Sequence, residues 1–270
     1  MLRHVAQPTF DSRRGLFMEA LTVGKIVAVP LLLWLCAAMG RRWGGFAASV
    51  FAGLPIISGP VSLVITLEQG PEFGQAMAFN VLPGICACVW ENVTYSWICR
   101  RFSWLPAITL TLALYFAFAA LLCMVRLPLA AWTVIVLAVP FIGLRLLPRK
   151  SDRWHVPPAH HGAPWMQMFV GMAAMIGETE GAAWLGPQWS GMLVFFPVLS
   201  GVIGMFAHIE AGPEAALRVF RGTLTGLTGG TVFAIVVAWC LGHLSVAATY
   251  GLATLTALTV SGLLSVVIRK

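Results

Sequence analysis

The sequence predicts an all-α integral membrane protein of about nine transmembrane helices, within bounds of eight and ten. It arranges them as two inverted-topology repeats of four helices joined by a linking helix, with Pro/Gly-broken helices inside. Three observations carry this: the composition, the spacing of the apolar runs, and an acidic turn written twice. Of the 270 residues, 59% are hydrophobic and 10% charged, and the mean hydropathy is +0.86. A soluble domain needs far more polar surface than that.

The apolar runs set the helix count. Crossing a hydrocarbon core of about 30 Å takes about 20 helical residues, and the runs 17–39, 44–68, 71–98, 105–125, 128–147, 164–185, 190–210, 213–242 and 246–268 each suffice. Residues 1–15 are polar and basic, and the run after them holds Lys25 without a small-residue cleavage site, so it reads as a retained first helix. Several runs are punctuated by breakers: Leu54-Pro55, Gly59-Pro60, Pro83-Gly84, Pro197, Gly201, Gly226 and Gly229-Gly230. Proline removes an intrahelical hydrogen bond and clashes with the preceding turn, so discontinuous segments are expected there.

The cations set the orientation. A formal charge of +7 does not point to nucleic acid, because the basic residues stand as pairs between apolar runs and form no patch interleaved with aromatics. With nine spans, Arg41, Arg42, Arg100, Arg101, Arg145, Arg149, Lys150, Arg153, Arg218, Arg221, Arg269 and Lys270 fall on one side. Only Arg3, Arg13, Arg14 and Arg126 fall on the other. The richer side is expected to be cytoplasmic, which puts the N-terminus outside and the C-terminus inside, in a bacterial inner membrane. The cysteines lack metal-ligand spacing, and His155, His160 and His161 lie in the polar loop 148–163 as solvated side chains. No cofactor and no metal is expected.

The repeated turn sets the domain organisation. E-x-G-P-E occurs at Glu68–Glu72 and again at Glu210–Glu214, and at the same offset of 142 positions Pro55, Ser58, Gly59 and Gly84 meet Pro197, Ser200, Gly201 and Gly226. Upstream, Gly40, Trp43 and Gly45 match Gly186, Trp189 and Gly191 at an offset of 146. Residues 1–127 then form the first repeat, 128–163 the linking helix and polar loop, and 164–270 the second repeat. Four helices plus one is an odd number, so the second repeat enters the membrane from the opposite side. In each repeat the P-x-x-S-G motif interrupts the second span, where Ser58-Gly59 and Ser200-Gly201 display polar groups beside a helix end.

Seven of the ten acids, Glu68, Glu72, Glu91, Glu178, Glu180, Glu210 and Glu214, lie in or at the ends of apolar runs. A carboxylate inside a bilayer costs at least a few kcal/mol, so such residues are functional candidates by default. Glu72 and Glu214 follow a proline that starts a helix, where the dipole favours an acid. Glu68 and Glu210 end a helix, where it does not, and they are the stronger candidates. Glu178 and Glu180 sit deep in the sixth span, with Lys25 of the first span as a prospective partner. His208 is a candidate relay group, and Arg218 and Arg221 follow Glu214 along one helical face as an ion pair or an anion-attracting vestibule. Glu91 stands among Trp90, Tyr95 and Trp97 and reads with them as part of an interfacial belt.

These features lead to the expectation of a secondary active transporter moving a small polar or anionic organic solute by alternating access, with proton coupling through the intramembrane acids. Membrane lipids, the solute and protons are its expected partners, in a monomer or homo-oligomer. A flippase or other lipid-handling protein, a channel and a polytopic membrane enzyme are the alternatives. The chain has no Walker motif, no H-E-x-x-H and no G-x-S-x-G elbow.

Overall fold

The computed structural model describes residues 58–149, 164–185, 192 and 196–268, together with positions 31, 34, 35, 38 and 42. Within them the regular elements are helices: α1 Ser58–Gln69, α2 Pro71–Ile98, α3 Trp104–Met124, α4 Leu129–Leu146, α5 Pro164–Leu185, α6 Val198–Ala211, α7 Pro213–Cys240 and α8 Val246–Ile268. Five of these, α2, α3, α4, α7 and α8, are long and apolar enough to cross a membrane. Most of the first span and the start of the second lie outside the described residues, as do Lys25, the 148–163 loop beyond position 149 and the Gly186–Gly191 motif.

Burial separates a centre from a perimeter. The apolar windows of α2 and α7 are 67% and 72% buried, against 22% for α3, 22% for α4 and 28% for α8. Leu110, Phe116 and Leu121 of α3, Val134 and Phe141 of α4, and Leu255 and Leu258 of α8 are exposed, as helix faces in contact with lipid chains are. Several threonines in these helices turn their hydroxyls back onto the chain, as Thr133 does to the Leu129 carbonyl and Thr231 to the Leu227 carbonyl. That satisfies polar groups where no water is available.

The 142-residue offset recurs in the limits of the helices. α2 and α7 are both 28 residues long, both begin with the proline of E-x-G-P-E, and both ends are 142 positions apart. α3 and α8 start at the same offset. α6 is short, 14 residues, and starts at its P-x-x-S-G motif; α1 is described over 12 residues from the Ser58 of its own motif. The joints are alike too: Gly70 at φ 93° and Gly212 at φ 82° turn the chain, a conformation that an L side chain rarely adopts. The proline after each needs no amide partner at the first helical position.

Packing follows the same exchange. α1 packs on α2 and on α8, whereas α6 packs on α7 and on α3; α2 and α7 pack on one another, and α4 packs on both. Three contacts gather one end of the bundle: Arg100 Nη2 to Glu214 Oε1 at 3.6 Å, Trp97 Nε1 donating to the Leu146 carbonyl at 2.9 Å, and Arg221 Nη2 donating to the Pro148 carbonyl at 3.5 Å. Gln75 Nε2, which donates to the Ala238 carbonyl at 3.3 Å, and Trp239 Nε1, which donates to Thr133 Oγ1 at 2.9 Å, gather the other. The C-terminal end of α2 thus meets the N-terminal start of α7, and the reverse, so the two corresponding helices run antiparallel.

In the seventh span the chain is interrupted at P-x-x-S-G: Met192 is helical, Phe196 and Pro197 are not, and α6 starts at Val198, since a residue next to proline is pushed out of the helical region. The corresponding stretch before Ser58 lies outside the described residues. One sequence expectation needs correction. The breakers at Pro83-Gly84, Gly226 and Gly229-Gly230 break nothing: α2 and α7 run through them. At Gly84 an added Cβ would stand 2.9 Å from the Met192 carbonyl oxygen. The glycine is there for close approach of another segment, not for a hinge.

Candidate functional site

The short helix α6 begins inside the bundle. From Ala211 back to Gly201 is ten residues, about 15 Å at 1.5 Å per residue, and from Ile98 back to Glu91 is seven, about 10 Å. Both therefore lie well below the Arg100–Glu214 end. There the first turn of α6 faces Glu91 of α2. A Cβ added at Gly201 would stand 3.8 Å from Glu91 Oε1, so the absence of a side chain at 201 lets the carboxyl lie close to the helix. Glu91 is 1% exposed, and its Oε2 is buried without a hydrogen-bond partner among the described residues.

A cavity of about 400 Å³ opens beside this carboxyl. Ile108, Leu112 and Phe116 of α3 form one wall, Ala174 and Gly177 of α5 a second, and Gly201 and Met205 of α6 a third. Its volume is within the range of small-molecule sites, and one carboxyl in an apolar lining matches their usual chemistry. Phe116 and Phe196 stack across one side with ring centroids 6.1 Å apart.

The place related by the 142 offset is filled. At that offset Glu91 corresponds to Phe233 and Gly201 to Gly59. A Cβ on Gly59 would meet the Phe233 ring at 3.3 Å, and the space left beside Ser58, Ser62 and Phe233 is only about 10 Å³. One place presents a carboxyl and a cavity; the other presents an aromatic plug.

Matching positions near the two helix ends are tied by different polar contacts. Thr66 of α1 lies within hydrogen-bond distance of the Tyr250 hydroxyl of α8 at 2.9 Å, and Ser62 of the same hydroxyl at 2.6 Å. His208, at the position matching Thr66, has Nδ1 3.2 Å from the Tyr95 hydroxyl of α2. His208 is thus a hydrogen-bonded interior group.

The other expected residues divide as follows. Ser200 is buried, and its hydroxyl donates to the Pro197 carbonyl at 3.3 Å. Glu210 accepts from Gln167 Nε2 of α5 at 3.4 Å, away from the cavity wall. Arg218 and Arg221 are exposed. The partner of Glu214 is Arg100, not Arg218, because the end of α2 stands closer to it than the next turn of its own helix does. Glu68 ends α1, and Glu178 and Glu180 lie on α5, but their side chains lie outside the described part.

Sequence reasoning passed over Glu91, because the tryptophans around it suggested an interface. Trp90 and Trp97 are indeed exposed, but Glu91 points the other way. The available signal was position: an acid twenty residues into a 28-residue apolar helix is as expensive as any other in the chain. No protein-family model, curated protein or solved structure matches this chain.

Proposed function

We propose that the chain is a secondary active transporter built from two inverted repeats, which moves a small organic solute across the membrane by alternating access. The observation that carries this is the antiparallel pair α2 and α7, with equal lengths, matching Gly-Pro starts and contact partners that interchange between the halves. Inverted repeats of this kind place their solute site near the midplane, where a discontinuous helix of one half meets the other. The Glu91 cavity lies at such a junction, between α6 and helices α2 and α3 of the other half.

A carboxyl at that depth can be neutral in two ways, by carrying a proton or by pairing with a cation. Occupation by one excludes the other, and this is the elementary requirement for coupling a solute to a proton. On this reading Glu91 is the leading coupling residue, ahead of Glu178, Glu180, Glu68 and Glu210, and the exposed Arg218 and Arg221 serve orientation rather than solute attraction. The cation-rich end that carries Arg100 and Arg221 is cytoplasmic.

The test is solute-driven proton movement in proteoliposomes holding an internal pH dye, run across amines, organic acids, amino acids and sugars. The proposal expects a pH change specific to one solute class, present in Glu210→Gln and absent in Glu91→Gln. A complete panel that moves no protons would remove proton coupling from the account.

A further inference from the structure

We infer that the Glu91 cavity takes an organic ammonium ion: a single positive charge that donates a hydrogen bond to the carboxyl, on an apolar body lying against α3, α5 and α6. This deepens the transport reading and rests on it for its physiological meaning.

Three properties of the site select that class. The first is charge. Among the described cavity-lining residues Glu91 is the one ionisable side chain, so within that lining an anion would meet like charge and no counter-ion, whereas a cation supplies what the buried carboxyl lacks there. The second is the lining. Ile108, Leu112, Phe116, Val202 and Met205 offer no side-chain hydrogen bonds, so a sugar or amino acid would strand its further polar groups, at a cost for each. A metal ion fares no better, since it requires several oxygen ligands at once, and one carboxyl is what the wall provides. The third is the aromatic pair. Phe116 and Phe196, stacked on one another, both line the cavity, and aromatic faces attract organic cations.

The volume adds a bound. About 400 Å³ holds a phenylalkyl group with room to spare, so the apolar body rather than the charge fills the site. The twin position supports the same conclusion from the opposite direction: there an aromatic ring of the protein, Phe233, occupies the space beside Gly59. A hydrophobic body is what this architecture accommodates next to the small residue of a short helix.

The experiment is equilibrium binding of radiolabelled 4-phenylbutylammonium to the purified full chain in detergent, where no flux is needed. Competitors of the same shape are 4-phenylbutanol and 4-phenylbutanoate, with phosphoethanolamine standing for a lipid headgroup. We expect one saturable site, at least about tenfold weaker competition by the alcohol, as loss of a charge-assisted hydrogen bond implies, and no competition by the carboxylate or by phosphoethanolamine. Glu91→Gln should weaken binding by about tenfold or more. Ala174→Trp, which fills the cavity from the α5 wall, should abolish it and keeps the test decisive if Glu91→Gln fails to fold. Equal binding of amine and alcohol, preference for the carboxylate, competition by phosphoethanolamine, unchanged affinity in either variant, or no saturable binding would each overturn the inference. Binding without transport in proteoliposomes would instead leave it standing and sink the transport reading.

Discussion

Gly204 and Gly201 are three residues apart on α6, and replacing each with alanine should have opposite effects. Both substitutions gain the same intrinsic helix preference, about 1 kcal/mol. At Gly201 the new methyl would meet nothing nearer, among the described residues, than Glu91 Oε1 at 3.8 Å, an ordinary contact. At Gly204 it would overlap Phe220 Cζ, with Cε2 at 2.8 Å and Cε1 at 3.0 Å. The Phe220 ring cannot easily give way, because it is fully buried and packs on Tyr95 with centroids 5.0 Å apart. Overpacking of this kind costs about 1–3 kcal/mol. The propensity gain cancels in the comparison, so Gly204→Ala should be about 1–3 kcal/mol less stable than Gly201→Ala. Reversible unfolding in mixed detergent micelles, followed by tryptophan fluorescence, gives the difference directly. Adding Phe220→Leu to Gly204→Ala should recover much of the loss, a non-additivity expected of residues in contact. Equal stability of the two alanine variants would refute the packing of α6 on α7 described above.

Two further perturbations address the joints between the halves. Tyr250→Phe removes the hydroxyl shared by Ser62 and Thr66; with membrane hydrogen bonds averaging about 0.6 kcal/mol each, unfolding should become easier by about 1 kcal/mol, and Thr66→Val should add little on top. A double-mutant cycle on Arg100 and Glu214 should show a small, salt-sensitive coupling of about 0.5 kcal/mol, since Arg100 is 34% exposed and water screens the pair. The same cycle on Arg218 and Glu214 should show none.

Much of the helical frame was legible because its punctuation is chemical. Gly70-Pro71 and Gly212-Pro213 mark the starts of α2 and α7 to the residue, since glycine permits the turn and proline can begin a helix but not continue one. The start of the run 246–268 was read to the residue for a related reason, the polar turn at Gly242–Ser245 before it. What could not be read was direction. A helix apolar on all sides gives no sign of which face meets lipid, so Glu91 beside exposed Trp90 looked interfacial although it turns inward. Pro83-Gly84 looked like a break for lack of any knowledge that Met192 packs there. The Arg100–Glu214 pair joins residues more than a hundred positions apart, and no local spacing announces it. The Glu91–Phe233 correspondence was within reach at the 142 offset, but identity between the halves fades after Gly84 and Gly226, and the chemical contrast at that position carries no identity to notice.

Counterflow in proteoliposomes tests the central claim most directly. Vesicles loaded with unlabelled 4-phenylbutylammonium are diluted into a trace of the labelled amine, and uptake is followed for wild type and Glu91→Gln. Alternating access through the Glu91 cavity predicts a transient accumulation of label above its equilibrium level in wild type, and none in Glu91→Gln. Simple equilibration without an overshoot in wild type, or an overshoot that survives the loss of the carboxylate, would contradict it.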